Sequence, residues 1–83
     1  EGVIHNLVLQ PKFLLQEKFE DPYTHKKYQP IHYIGDFLYV ADGCQQVCEE
    51  LKGFATDTFR LKFKLVIYKY PEIRFVLLKG KDF

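Results

Sequence analysis

Between Phe59 and Ile67 the apolar residues fall on every second position, Phe59, Leu61, Phe63, Leu65 and Ile67, with Arg60, Lys62 and Lys64 between them. A period of two is that of a half-buried strand. Tyr70-Pro71-Glu72 interrupts the pattern, and a second apolar run, Ile73 to Leu78, follows, so Thr58 to Lys79 is predicted to be a β-hairpin. A loop over Tyr70 to Glu72 pairs Ile67 with Phe75 and Leu65 with Leu77. It collects Phe59, Leu61, Phe63, Leu65, Ile67, Phe75 and Leu77 on one face. A shorter loop would put Phe75 and Leu77 among the lysines, and because a one-residue slip flips every side chain, burial selects the first register. The reverse face then carries Arg60, Lys62, Lys64, Val66, Tyr68, Arg74, Val76 and Leu78, which is half apolar and so suited to a partner.

Upstream the pattern is less regular. Val3 to Leu9 is short and β-branched and is stopped by Pro11, which predicts a strand; Lys12 to Phe19 fits a second strand or one to two helical turns begun at Pro11. Glu20 to Pro30 is polar, contains two prolines and has no apolar period. It reads as a surface loop, long enough to be a candidate binding loop. From Asp36 the apolar positions Phe37, Val40, Ala41, Cys44, Val47 or Cys48, and Leu51 have helical spacing, with Asp36 as N-cap and Gly53 as C-cap. Asp42-Gly43 is the defect in that helix. A split into a strand over 31–40 and a shorter helix capped by Asp42, with Gln45 completing a capping box, meets the same residues. The single helix fits the spacing better. The chain is therefore expected to be one α+β domain over residues 1–83, a small antiparallel sheet of three or more strands with one main amphipathic helix packed on one face.

Eighty-three residues allow one core and little surplus stability. Phe and Tyr are abundant, with 8 and 6 copies, while Trp, Met and Ser are absent, so serine-nucleophile chemistry is excluded. Without an initiating Met, Glu1 is expected to mark a processed or excised chain. No apolar run is long enough for a membrane span. The two cysteines, Cys44 and Cys48, sit four apart on the expected helix, a poor spacing for a disulfide, which points to free thiols and a reducing, cytoplasmic setting. The charge is segregated: residues 1–59 hold 5 Lys or Arg against 9 Asp or Glu, and residues 60–83 hold 7 against 2. A basic hairpin on a mildly acidic body suits an acidic partner, a nucleic acid or a second copy of the chain.

Candidate chemistry is sparse. Cys44 and Cys48 with His25 or His32 have the count for zinc but not the spacing, and the cysteines lie on the face expected to be buried; neither a metal nor another cofactor is expected. Glu17, Glu20, Asp21, Glu49 and Glu50 are the carboxylates available for acid–base work. Glu49 and Glu50 fall near the end of the expected helix, facing water, and no His stands beside a nucleophile. No phosphate-cradling glycine motif is present. The expectation is a non-enzymatic protein.

Two patches carry a resemblance to a known family. Asn6-Leu7-Val8-Leu9-Gln10-Pro11 with Lys18-Phe19, and Glu50-Leu51-Lys52-Gly53-Phe54 followed by Phe59 to Ile67, resemble the Tctex type of dynein light chain. That resemblance implies a homodimer with exchanged or augmented strands, acting as an adaptor for a short segment of a motor subunit or cargo. The leading expectation is thus an interaction module that self-associates or binds an extended peptide at a sheet edge through Arg60, Lys62, Lys64, Val66, Tyr68, Arg74, Val76 and Leu78. Single-stranded nucleic-acid binding by the same basic face is the alternative.

Overall fold

The computed structural model of the chain describes residues 5–52 and 55–79. Along them run β1 (His5–Leu9), β2 (Lys12–Gln16), β3 (Phe19–Glu20), β4 (Lys27–Tyr28), β5 (Ile31–Ile34), β6 (Phe37–Ala41), β7 (Gln45–Lys52), α1 (Asp57–Lys69) and β8 (Arg74–Lys79). The class is α+β as expected, with one helix on the sheet. The sheet itself is mixed, in the order β1-β6-β7-β8, and two small two-stranded ribbons, β2-β5 and β3-β4, accompany it.

The helix predicted from Asp36 does not form. Gly43 at φ 83° and Cys44 at φ 66° are two successive left-handed residues, and they reverse the chain through a short 3-10 turn at Asp42–Cys44. Asp-Gly suits such a reversal, because glycine meets no steric penalty at positive φ. The residue pair read as a defect in a helix is therefore the turn of a hairpin. β6 and β7 pair antiparallel across it, Phe37 opposite Glu49 and Ala41 opposite Gln45. The split alternative placed strand correctly before Asp42, but its helix does not form either; Gly53, the expected C-cap of the single helix, lies outside the described residues.

The hairpin predicted for Thr58 to Lys79 is absent too, because its first arm is α1. Thr56 caps the helix, its hydroxyl oxygen accepting from the Phe59 N–H at 3.1 Å, and Asp57 and Lys69 sit at the ends that favour their charges. Phe59, Phe63, Val66 and Tyr70 follow at i, i+4, i+7 and i+11, a single helical stripe. Val66 is fully buried, and the other three pack around it. Leu61, Leu65 and Ile67, expected in the core, are exposed. The topology explains why no hairpin was possible: β7 and β8 run parallel, Cys48 beside Phe75 and Glu50 beside Leu77. Parallel neighbours need a long crossover, which a helix usually supplies. A turn does occur at Tyr70, where the carbonyl accepts from the Ile73 N–H at 3.1 Å.

The segment 20–30, expected as a loop, is the end of a hairpin arm. β2 pairs antiparallel with β5, Lys12 opposite Ile34 and Phe13 opposite Tyr33, and β3 with β4 continues outward from them, Phe19 opposite Tyr28. At the root of the arm Phe13 and Tyr33 enter the core beside Cys48 and Val66, with Phe59, Phe63 and Phe75 around them. Edge-on and tilted ring contacts, such as Phe13 to Phe75 at 5.4 Å and Tyr33 to Phe63 at 6.0 Å, fill a core that has few aliphatic residues.

Candidate active site

β7 alternates across the sheet. Cys48 enters the core, and Glu50 and Lys52, two and four residues on, share its face by the strand period. Glu50 is the only charged side chain among the described residues that is buried, with 5 % of its surface exposed. Tyr33 on β5 donates its hydroxyl to Glu50 Oε1 at 3.3 Å, and Lys52 Nζ lies 3.5 Å from Oε2. The same ammonium stands 4.7 Å over the Phe59 ring at the start of α1. Glu49 points to the other face of the sheet, where the Tyr39 hydroxyl donates to it.

A second carboxylate is delivered to this place from the end of β5. Asp36 is fixed through its backbone, its N–H donating to the Glu49 carbonyl at 3.0 Å while its carbonyl accepts from the Gln10 N–H at 2.9 Å. Its side chain continues the ladder, Oδ2 accepting from the Leu51 N–H at 2.8 Å. The preceding residue has to be glycine for packing reasons: a Cβ at Gly35 would lie 2.5 Å from Cys48 Sγ. The Asp36 carboxylate is thus laid alongside β7 at Glu50 and Leu51.

Burial raises the Glu50 carboxyl above the usual carboxylate range, and the neighbouring Asp36 charge raises it further; Lys52 and the Tyr33 hydroxyl pull it back in part. The face opens into a groove of about 270 Å³, lined by Glu50, Lys52, His32, Thr56, Thr58 and Lys62 among others. No group of three or more His, Cys, Asp and Glu side chains that could hold a metal exists among the described residues. Two carboxylates are nevertheless the donor set that suits Mg²⁺, which keeps several waters and takes its remaining oxygens from substrate phosphate. The cysteines do not add to it, since Cys48 is buried in the core and Cys44 is exposed in the β6-β7 turn.

The eight residues expected to form one binding face are scattered. Residues 60, 62, 64, 66 and 68 lie on a helix, where alternate positions do not share a side. Val66 is in the core and Tyr68 in solvent, Arg60 reaches Asp57 at 3.3 Å, and Arg60 and Lys64 line a separate groove with Phe63 and Leu77. Arg74, Val76 and Leu78 sit beside Val47, Glu49 and Leu51, on the face of the sheet away from Glu50. Of the eight, Lys62 alone reaches the groove of Glu50 and Lys52. Glu50 had been placed facing water and is buried. Asp36, Tyr33 and Lys52 had no assigned part in chemistry, and His32 had been weighed only as a zinc ligand with the cysteines. The available signal was Glu50-Leu51-Lys52, which on a strand puts acid and base on one face and on a helix separates them.

Residues 1–81 match the family described as Protein of unknown function (DUF1064). The chain belongs to that family. No curated protein and no solved structure matches it. Membership of the DUF1064 family carries no stated activity. None of the described helices is long and apolar enough to cross a membrane.

Proposed function

We propose that the chain is a Mg²⁺-dependent phosphodiesterase acting on nucleic acid, with Asp36 and Glu50 as the metal-holding carboxylates and Lys52 as the residue that meets the scissile phosphate. The observation that carries this reading is a buried glutamate set beside a second carboxylate and a lysine at the mouth of an open groove. As a scaffold the arrangement is poor, because a buried ion pair is often no better than apolar residues of the same size, and a second negative charge makes it worse. It becomes favourable when a cation stands against both carboxylates. A bound Mg²⁺ supplies Lewis-acid polarisation of the phosphate. Lys52 neutralises charge that develops on the non-bridging oxygens as water adds to phosphorus and the P–O ester bond breaks, its proton passing to the departing alkoxide. Lys62 in the same groove extends the positive lining toward flanking phosphates.

The test is cleavage of labelled duplex and single-stranded DNA and RNA with Mg²⁺ or with a chelator. Mg²⁺-dependent cleavage that disappears in Glu50→Gln and in Lys52→Ala supports the proposal. Cleavage by Glu50→Gln at the wild-type rate, or none by the wild-type chain on any of these substrates, overturns it. Two free cysteines among the described residues support a reducing, cytoplasmic setting.

A second reading keeps the interaction module, including a dynein-light-chain-like adaptor. One observation favours it: among the described residues β8 pairs on one side only, with β7, so its outer edge offers unpaired backbone groups to an extended peptide or a second copy. A chain that stays monomeric at high micromolar concentration, and whose β8 amides exchange no more slowly when it is concentrated, removes that support.

A further inference from the structure

We infer that the hairpin arm built from β3 and β4 is a stacking platform for an unpaired base, so that the preferred substrate of the site above is a nucleic acid in which a duplex adjoins a single strand. The inference rests on the phosphodiesterase reading for its substrate class, while its own evidence lies in the arm. Phe19 and Tyr28 stack across the strands with ring centroids 5.1 Å apart and planes 15° from parallel. Lys26 Nζ lies 5.1 Å over the Tyr28 ring. One ring of the pair is therefore covered by a lysine, and Phe19, 48 % exposed, keeps an open face. Tyr23 at the tip is 90 % exposed. A groove of about 400 Å³ runs along the pair and is lined by Lys18, Glu20, Lys27 and Gln29 beside the two rings.

A cross-strand aromatic pair contributes to any hairpin, but that role does not call for Tyr23 in solvent or for lysines around the rings. The acidic side chains of the arm are spent on its own geometry. Asp21 caps the turn by accepting from the Tyr23 N–H at 2.8 Å, which holds its carboxyl below the usual range. Glu20 meets His25 Nδ1 at 3.1 Å. No carboxylate among the described residues pairs with Lys18, Lys26 or Lys27. Exposed aromatics flanked by unpaired cations match a base with its phosphates, and a base can stack on a side chain only when it has left the duplex stack. The turn is stitched by backbone bonds, Asp21 N–H to the Lys26 carbonyl at 2.9 Å and His25 N–H to the Asp21 carbonyl at 2.8 Å, so little ordering remains to be done on binding.

The position of the arm fits the same substrate. β4 precedes β5, which carries Tyr33, the hydrogen-bond partner of Glu50, with Gln29 and Pro30 between them, and at a rise of about 3.3 Å per residue Tyr28 lies within roughly 17 Å of Tyr33. That is about five base-pair steps of duplex.

Fluorescence anisotropy with the full chain in Ca²⁺, on a fluorescein-labelled duplex bearing a single-stranded flap and on the same duplex without the flap, tests the arm apart from cleavage. The flapped duplex should bind about tenfold tighter, the range of one base-aromatic stack. Phe19→Leu keeps an apolar cross-strand contact but removes the flat ring face. It should abolish the preference and leave affinity for the plain duplex within about twofold, and Tyr23→Ala should reduce the preference without disturbing the turn. Equal affinity of the wild-type chain for both duplexes, or an undiminished preference in Phe19→Leu, overturns the inference. A flap preference lost in Phe19→Leu, in a protein that cleaves nothing, supports the arm and sinks the phosphodiesterase reading; cleavage with no flap preference does the reverse.

Discussion

β7 and α1 are neighbours in the chain and carry similar mixtures of apolar and charged residues, yet they spend their charges in opposite ways. On α1 the four cations Arg60, Lys62, Lys64 and Lys69 are kept off the buried stripe of Phe59, Phe63 and Val66, and the helix costs the fold little. On β7 the face that packs on that same helix bears Cys48, Glu50 and Lys52, and a carboxylate is drawn into the edge of the core. Most of the charge on α1 faces solvent, with Lys62 alone lining the groove of Glu50 and Lys52, whereas β7 carries a buried charge. A charge that the fold would be more stable without is the better guide to function, because burial and like-charge crowding are tolerated where a reaction or a cation uses them.

The contrast breaks first at Glu50. Glu50→Gln should lower Mg²⁺-dependent cleavage by about two to four orders of magnitude while leaving the chain folded, as measured by circular dichroism and single-turnover cleavage. Lys64→Ala on α1 should change neither by more than about twofold. If the two substitutions have equal effects on cleavage, β7 holds no special position.

The next test is within α1. Val66→Ala should cost about 1–3 kcal/mol in urea unfolding, because it leaves a space at a fully buried site. Leu65→Ala, one residue earlier and 42 % exposed, should stay within about 0.5 kcal/mol. A strand at this position would reverse that order.

The pH dependence of stability sharpens the contrast. The Glu50 carboxyl is raised in the folded state, so folded protein holds this proton more tightly than unfolded chain does. Its contribution is fully present under acidic conditions, below the unfolded-state value, and is lost as pH rises through the folded-state value. The melting temperature should therefore fall from mildly acidic to neutral pH by an amount that Glu50→Gln removes. Mg²⁺ should restore it at neutral pH in the wild-type chain and not in the variant. The helix cap gives a more modest effect than Val66. Thr56→Ala should cost about 1 kcal/mol in urea unfolding by removing the acceptor for the Phe59 N–H.

The same two segments show where the sequence was readable. The α+β class, a strand at β1 and a turn at Tyr70 to Glu72 follow from local pattern, and all are present; for Lys12 to Phe19 the pattern left strand and helical turns open, and the strand β2 forms. The type of the two central elements does not follow. Phe59 and Phe63 satisfy both a period of two and a period of 3.6, and Val66 decides between them only once its burial is known. The local signal that could have decided was Thr56-Asp57 just before Phe59, a cap with an acidic first turn. For β7 the deciding pair was Asp42-Gly43, whose turn chemistry outweighs the helical spacing around it. The site was less legible still. Glu50 meets Tyr33 from 17 positions away and Asp36 supports Leu51 from 15 away, and no spacing rule links partners across two strand pairings. The arm was hidden by Pro22 and Pro30, which mark irregular chain without revealing that Asp21 folds the stretch between them into an ordered turn.

The two thiols differ as sharply as the two segments. Cys44 stands exposed at the β6-β7 reversal, whereas Cys48 is 1 % exposed and its thiol is pushed up to about 12 by burial and the nearby Glu50 charge. A thiol-reactive dye should therefore mark Cys44 at once and Cys48 only when β7 separates from α1. The molecule carries its own clock for that opening: the lag between first and second label measures how often β7 leaves the helix that covers it.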